Sequence, residues 1–404
     1  MQSPETQDRT SLSDILHPPD YRPRALHVVL VITELLGRIS PLMLTPAWLA
    51  LAAIASWPWG GLRAGALIVA ISCLLVDGLG LALLPYTGRS FGAVTPPLLA
   101  LTLLRTAISL TGGLLWGTLP GLVTVTAVQL VIAGISLYAT WVEPFNVHVT
   151  EAALQSSKLH HDSTPGSRDS VRILHISDLH VEHITPRERQ LLSRVEELNP
   201  DLTVLTGDYL NLSSVRDENA QADARDLLDD ICARSRGPVY AITGSPPVDL
   251  EGVVPEIFEG LEITWLLDEV ACVEISHQTI CLIGLRCSRE RSRDAPRLRR
   301  VMAQAPENGF KVLLYHSPDL MPEAVNLGVD LYLCGHTHGG QLRLPVVGAL
   351  VTSSAFWKRY EMGKYEEGET TLYVSRGLGM EGLGAPRARF LAPPEVIVWT
   401  LSPE

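Results

Sequence analysis

Between Ala25 and Trp141 the chain carries only six charged residues, Glu34, Arg38, Arg63, Asp77, Arg89 and Arg105. Long apolar runs fill the rest: Ala25 to Trp57, broken by Glu34 and Arg38, then Leu62 to Leu84, Pro96 to Leu119 and Gly121 to Trp141. Each approaches the roughly 20 residues with which a helix crosses the hydrocarbon core. Lipid offers backbone N–H and C=O groups no partners, so runs of this kind have to be helical. The expectation is a polar segment over residues 1–25 and a transmembrane helical region over 26–142 with about four spans. Trp57, Trp59, Tyr86, Trp116 and Trp141 fall near the predicted ends, where amphipathic rings sit at the headgroups.

Orientation rests on few charges. The first 25 residues hold Glu5, Asp8, Asp14 and Asp20 and no basic n-region, which excludes a secretory signal peptide. Arg22 and Arg24 precede the first run and Arg89 follows the second, against Arg63 on the other side. That asymmetry places the N-terminus inside and, for an even number of spans, the remainder of this multi-pass membrane protein in the cytoplasm. The cysteines at 73, 232, 272, 281, 287 and 334 show no framework spacing and fit a reducing compartment.

Beyond residue 142 the character changes. That part holds 25 Lys and Arg against 38 Asp and Glu, a net charge of about −13 that argues against a nucleic-acid partner. Val142 to Phe145 reads as a short extended piece, and residues 143–170, with polar Ser156 to Ser170, as a linker to which His160 and His161 bring no chemistry. Buried strands are expected at Val171 to Ile176, Asp201 to Thr206, Val239 to Thr243, Lys311 to Tyr315 and Val329 to Leu333. Amphipathic helices are expected at Pro186 to Leu198, Glu218 to Arg234 and Asp294 to Ala305, and a hairpin at Val270 to Leu285. The alternation defines a layered α/β domain.

Four clusters stand at the ends of these strands: Asp178-Leu179-His180, Gly207-Asp208, His316, and Gly335-His336-Thr337-His338-Gly339-Gly340-Gln341. Imidazoles one residue apart on a glycine-loosened turn can address two neighbouring metal ions. A lone His-x-His is as often a surface loop, and the ordered set is what favours metal. His175 lies inside a strand and reads as a core histidine, and His277 as a hairpin-turn residue.

In this order the motifs resemble those of the calcineurin-like metallophosphoesterases, over about residues 171–401. The membrane-anchored branch is the more similar, on Val142 to Phe145, Gly335 to Pro345 and Ser375 to Gly379. The resemblance implies a four-layered α/β/β/α domain over residues 171–404. It further implies that Asp178, His180 and His338 hold one divalent ion, that His316 and His336 hold another, and that Asp208 bridges them. Nitrogen and carboxylate donors suit Mn, Fe or Zn. Such a pair activates a bridging water for in-line attack on phosphorus.

The chain departs from the family at its third motif. Where Gly-Asn-His is expected it has Gly244-Ser245-Pro246-Pro247-Val248-Asp249. Ser245 offers a weaker hydroxyl ligand, and Pro246 has nothing with which to protonate a leaving group. General acid catalysis contributes about 10²- to 10⁴-fold, so its loss weighs most on basic leaving groups. Asp249, or His183, is a candidate substitute acid. Two readings stay open: a phosphohydrolase acting on a phosphoester or phosphoanhydride, on a small-molecule or lipid-linked substrate at the membrane, or a catalytically silent metal-binding protein. Arg343 and Arg376, beside the family-like loops, are candidates for contact with substrate phosphate. The seven arginines of Arg286 to Arg300 read as a solvated face or an anion site. Glu34, Arg38, Asp77 and Arg105 either pair within the membrane or mark a polar path.

Overall fold

A computed structural model describes residues 25–161 and 169–404. Glu5, Asp8, Asp14, Asp20, Arg22, Arg24, Pro165 and Gly166 lie outside the described residues. Among those described, the chain forms two compact units. One is helical, ends its main run at Glu143 and includes Glu381–Phe390; the other comprises Pro144–Met380 and Leu391–Glu404.

The helical unit contains α1 (Ala25–Gly37), α2 (Thr45–Ser56), α3 (Arg63–Ala82), α4 (Thr95–Leu115) and α5 (Leu119–Trp141). Three stretches are long and apolar enough to cross a membrane: Pro41–Ala82, Thr95–Leu115 and Leu119–Phe145. The run from Ala25 to Trp57 is not one helix. Pro41 has no N–H and disfavours helical geometry in the residue before it, so the chain breaks at Ser40-Pro41 and leaves helices of 13 and 12 residues. At a rise of about 1.5 Å per residue each is close to 20 Å long, less than the thickness of a hydrocarbon core. Gly60, at φ 53° and ψ −122°, then bends the chain between α2 and α3.

Polarity in this unit is inverted relative to a water-soluble protein. Leu42, Met43, Ile68, Leu114, Leu130 and Val131 are exposed, whereas Asp77, Arg105, Ser109 and Gln129 are buried. Arg105 donates from Nε and Nη2 to the two Asp77 oxygens at 2.7 and 3.0 Å, and from Nη1 to the Gln129 carbonyl at 2.8 Å. Gln129 Nε2 returns a bond to the Arg105 carbonyl at 3.0 Å. Arg38 pairs with Glu34 at 3.6 Å. Glu34, Arg38, Asp77 and Arg105 are therefore paired with one another, which is how ionised groups persist away from water. Trp59 is interior, its indole donating to Ser109 O at 3.1 Å, while Trp57 and Trp116 are exposed.

The second unit is built on fourteen strands. One sheet has the order β1 (His148–Gln155), β14 (Glu395–Ser402), β2 (Val171–Ile176), β3 (Leu202–Leu205), β4 (Val239–Ala241), β5 (Ile263–Trp265). A second has the order β12 (Gly363–Glu367), β13 (Thr370–Val374), β9 (Leu331–Cys334), β8 (Phe310–Leu314), β7 (Gln278–Gly284), β6 (Glu269–Ile275), and β10 (Arg343–Leu344) pairs with β11 (Gly348–Ala349) outside both. Alternation along β2 shows how the layers form. Val171 and Ile173 face a core between the sheets with Val204, Leu282, Val312, Leu333 and Trp399. Leu174 and Ile176 face the opposite way, into a core with Leu191 and Val195 of α6 (Pro186–Leu198) and Leu227 and Leu228 of α7 (Glu218–Arg234). A short helix, α8 (Val254–Phe258), joins that layer. On the far side of the second sheet, Leu313 and Tyr332 meet Leu298 and Val301 of α9 (Arg291–Met302) and Met321 of α10 (Met321–Asn326). The result is an α/β/β/α domain, and strands buried on both faces account for the near-continuous apolar runs.

Local chemistry explains the boundaries that were foreseen well. Helix α6 starts at a capping box in which Thr185 N donates to Glu188 Oε2 at 2.8 Å and Arg187 N donates to Thr185 Oγ1 at 3.2 Å, with Pro186 at the first helical position. Ser276 and His277 both adopt left-handed φ in the two-residue β6–β7 turn, as primed hairpin turns require.

Three expectations need correction. Glu143–Phe145 is a 3₁₀ turn, not an extended piece. The expected linker contains β1, which pairs in parallel with β14 from His148↔Glu395 to Gln155↔Ser402. Its half-exposed pattern lacks the apolar signature of the central strands because it lies at a sheet edge. Cys272 and Cys281, directly opposite in the β6–β7 register, form a disulfide, so the cysteines do not read as a wholly reduced set. Nine residues of sequence separation hide a pairing that hairpin register makes adjacent.

Because β1 covers the β14 edge, a fragment beginning at residue 156 is expected to melt well below one beginning at residue 144 and to aggregate through the uncovered strand. Thermal scans with light scattering on the two fragments test this, and equal melting temperatures would contradict it.

Candidate metal centre

The C-terminal ends of β2, β3 and β4 in one sheet and of β8 and β9 in the other deliver the motif residues to one place. Asp178, His180 and His338 form one buried group of potential metal ligands, and Asp208, His316 and His336 a second. Asp208 Oδ2 lies 3.1 Å from His316 Nε2 and 3.5 Å from His180 Nε2, within reach of both groups. Across the first group, His180 Nε2 and His338 Nε2 are 3.0 Å apart and His338 Nε2 is 3.5 Å from Asp178 Oδ1. The sheets are also tied through a ligand: His336 N donates to Asp178 Oδ1 at 2.9 Å.

Backbone geometry sets this arrangement apart from a chance cluster. Asp178, His180, Asp208, His336 and His338 all have positive φ, between 42° and 70°. Non-glycine residues rarely adopt this conformation, and strain of that kind collects where side chains must be aimed. Extended or helical continuation would turn the side chains alternately or helically away from the strand ends. The strands hold the strained turns through regular bonds, Asp178 N to Gly207 O at 3.0 Å, His180 N to Asp208 O at 3.0 Å and Gly335 N to His316 O at 2.9 Å. Gly335 is required for close approach, since a Cβ there would sit 1.9 Å from Asp178 Oδ2.

The donor set fits divalent metal. Two carboxylates and four imidazoles, all at least nine-tenths buried, converge there. Uncompensated, such burial is expensive. His316 Nδ1 lies 2.7 Å from the Thr206 carbonyl, which keeps the Nδ1 proton in place and leaves Nε2 as the atom that would bind metal. Burial opposes the charged form of His316, yet the Asp208 carboxylate lifts it to about 9. Burial likewise works against the Asp208 carboxylate, and the adjacent imidazoles, His316 foremost, hold it far below the ordinary carboxylate range. The centre thus attracts positive charge.

Ser245 lies within the second group. Its Oγ is 3.3 Å from His316 Nε2, 3.3 Å from His336 Nδ1 and 3.4 Å from Asp208 Oδ2, and its N–H donates to Asp208 Oδ1 at 2.5 Å. Pro246, next to it, is exposed. Asp249 does not stand as a free acid. Its Oδ2 accepts from Asp208 N at 2.8 Å and Gly244 N at 2.6 Å, and its Oδ1 from Tyr209 N at 3.0 Å. Burial first, and then the neighbouring Asp208 charge, push its carboxyl up to about 7, against the pull of those three donors. Its carboxylate thereby links the turn that carries Asp208 to the Gly244-Ser245 turn. His183 pairs with Asp223 at 3.1 Å.

The candidate phosphate-binding arginines are engaged elsewhere. Arg343 bonds Gly339 O at 2.8 Å and pairs with Glu361 at 2.8 Å, while Arg376 pairs with Glu395. In the arginine-rich stretch, Arg286 and Arg297 share Asp268, and Arg291 pairs with Glu323. His175 is buried with Nε2 2.8 Å from Thr206 Oγ1, and burial lowers it to about 3, as suits a core histidine. Sequence reasoning missed the Thr206 carbonyl, whose role belongs to the backbone and leaves no mark in side-chain pattern. Gly379, at the end of the Ser375–Gly379 segment, is packed so closely that a Cβ would lie 2.4 Å from His180 Cβ.

Fold and site together define a metal-dependent hydrolase architecture. Residues 171–245 match the family described as calcineurin-like phosphoesterase. The chain is 30% identical over 220 residues to the phosphodiesterase YaeI of Escherichia coli, a match covering 52% of this chain and 75% of that protein. It is 28% identical over 278 residues to the metallophosphoesterase YkuE of Bacillus subtilis, covering 65% and 88% respectively. A protein of Danio rerio named transmembrane protein with metallophosphoesterase domain is 27% identical over 236 residues, covering 55% of this chain and 52% of that one. The chain belongs to the calcineurin-like phosphoesterases, a family of metal-dependent phosphoester hydrolases, and its apolar helices associate it with membranes.

If Asp249 holds the two turns, Asp249→Asn strands at least one buried N–H, and stability is expected to fall by about 1–3 kcal/mol. Bound metal is expected to fall with it, while the alkaline limb of the pH–rate profile, where loss of a general acid would show, stays in place. Calorimetry, elemental analysis and a pH series check this; an unchanged melting temperature with a moved alkaline limb would restore the acid role.

Proposed function

We propose that this chain is a membrane-anchored dimetal phosphohydrolase that cleaves a phosphoanhydride or a phosphodiester with a good leaving group, on a lipid-linked substrate. The observation that carries the reading is the convergence of six buried ligand side chains in two groups, with one Asp208 oxygen within reach of histidines from both. Two divalent ions there supply a water of lowered pKa and neutralise phosphoryl charge. The protein's own part is to hold the ligands. Asp208 and Asp178 provide the anionic charge, His316 is oriented through Thr206, and Ser245 takes the position of an amide ligand with a weaker hydroxyl. No side chain at Pro246 donates a proton, so the leaving group departs as the anion, and selection falls on substrates whose leaving group is already weakly basic. The same Pro246 favours the second reading, a metal-binding protein without turnover.

For the membrane side, the Cys272–Cys281 pair outweighs the two-arginine asymmetry of the loops. We place the hydrolase unit in an oxidising compartment, since disulfides persist there and are rare in a reducing cytosol.

Three outcomes follow. Asp208→Asn abolishes turnover of a bis-aryl phosphate and lowers the metal content measured by elemental analysis; wild-type protein that binds metal yet turns over neither that substrate nor a nucleotide pyrophosphate would establish the silent reading. Replacing Ser245-Pro246 by Asn-His raises turnover of alkyl-leaving-group esters by about 10²-fold or more and that of aryl esters far less, as measured by a leaving-group series. Alkylation of intact protein in unbroken cells leaves Cys272 and Cys281 unmodified until reductant is added; modification of both without reductant, read by peptide mass, would return the unit to the cytoplasm.

A further inference from the structure

Among the described residues of the α/β unit, the exposed large apolar side chains are Leu344, Val346, Val347, Leu350, Val351, Trp357 and Leu391. Six of these seven fall in the fourteen residues from Leu344 to Trp357, directly after the metal-ligating loop. Soluble surfaces scatter such residues singly, and a concentrated patch marks a contact surface.

The stretch is built to project. Strands β10 and β11 pair Arg343 with Ala349 and Leu344 with Gly348, which leaves Pro345, Val346 and Val347 as the tip. Val346 is fully exposed with φ 67°, and Trp357 is more than half exposed with φ 55°. Left-handed backbone is disfavoured for bulky and β-branched residues, so two of the most exposed apolar side chains are held outward at a cost in strain. The Trp357 turn is tied to the hairpin tip, because Lys358 Nζ donates to the Val347 carbonyl at 2.8 Å. The hairpin base is fixed to the metal loop: Arg343 donates to Gly339 O at 2.8 Å, and a Cβ on Gly340 would lie 2.5 Å from Ala349 Cβ.

Charge points to one kind of partner. From Leu331 to Tyr360 there is no Asp or Glu, in a region where acidic residues otherwise outnumber basic ones. Arg343 and Arg359 are matched by Glu361 and Glu367, which leaves the patch close to neutral with Lys358 at its edge. A protruding, acid-free, aliphatic and tryptophan-bearing surface on a membrane-associated chain has the composition of an interfacial anchor.

We propose that residues 342–360 form a membrane-docking surface whose aliphatic side chains and Trp357 enter the boundary between headgroups and acyl chains. The hairpin is rigidly joined to the metal loop, so docking fixes the metal loop at the level of the headgroups. The energy comes mainly from apolar burial, with little dependence on anionic lipid. This inference concerns attachment and stands apart from whether the centre hydrolyses anything.

The test uses the full-length chain in lipid nanodiscs, with an environment-sensitive dye on a cysteine placed at Val346→Cys in a Cys232→Ser background. Glu307→Cys, exposed ahead of the N-terminal end of β8, is the control, and the chain without an added cysteine gives the background. Spin-labelled lipids are expected to quench the dye at 346 at least threefold more than at 307, in phosphatidylcholine with or without phosphatidylglycerol. Substituting Val347→Asp together with Leu350→Asp is expected to remove that difference while metal content stays unchanged. Equal quenching at 346 and 307 overturns the proposal. So does protection at 346 that appears only as protein concentration rises, which would assign the patch to a second copy of the chain.

Discussion

Everything in the α/β unit answers to the burial of two carboxylates and four imidazoles at one point. Six such groups do not gather there of their own accord: desolvation and mutual repulsion oppose it, and five of the six sit on backbone that favours another conformation. The opposing force is distributed over the two sheets. Parallel strands end together, and their ladders continue into the ligand turns through bonds such as Asp178 N to Gly207 O. Asp249 carries the same function in a side chain, gathering N–H groups from Gly244, Asp208 and Tyr209. A domain with a weaker framework would relax the turns and scatter the ligands.

The helical unit solves a different solvation problem with the same rules. Its exterior is apolar and its interior holds Asp77, Arg105 and Gln129 in mutual hydrogen bonds. Three donor atoms of the guanidinium find acceptors, and both carboxylate oxygens are engaged, so the pair needs no water. Removing one partner leaves an ion in an apolar surround, which is why such groups occur as sets.

The convergence of the candidate ligands was legible because each motif couples a residue type to a strand end, and strand ends are visible as the close of an apolar run. Helices α6 and α7 were legible to the residue because Thr185-Pro186 and Asp217 announce their starts through caps. Three kinds of information were not. Edge strand β1 is half exposed, and half-exposed alternation in a polar stretch resembles a linker. Pairing across a hairpin, as for Cys272 and Cys281, depends on register and not on spacing. Side-chain engagement is invisible as well, so Arg343, Arg376 and Asp249 looked available when carboxylates or backbone groups already held them. The break at Pro41 was in plain view, but apolar content on both sides of it outweighed one proline in the reading.

Ser245-Pro246 is the place where the chain's own chemistry separates from that of its family. The serine hydroxyl lies 3.3 Å from both His316 and His336, placed to complete a metal site. The proline beside the serine has lost only proton donation, and among the functions gathered at this centre that is the one a weakly basic leaving group can do without. Under the proposed function, six candidate ligands beside a position that cannot donate a proton fit a reaction whose difficult step lies at phosphorus, in the attack, and not in the departure of the product.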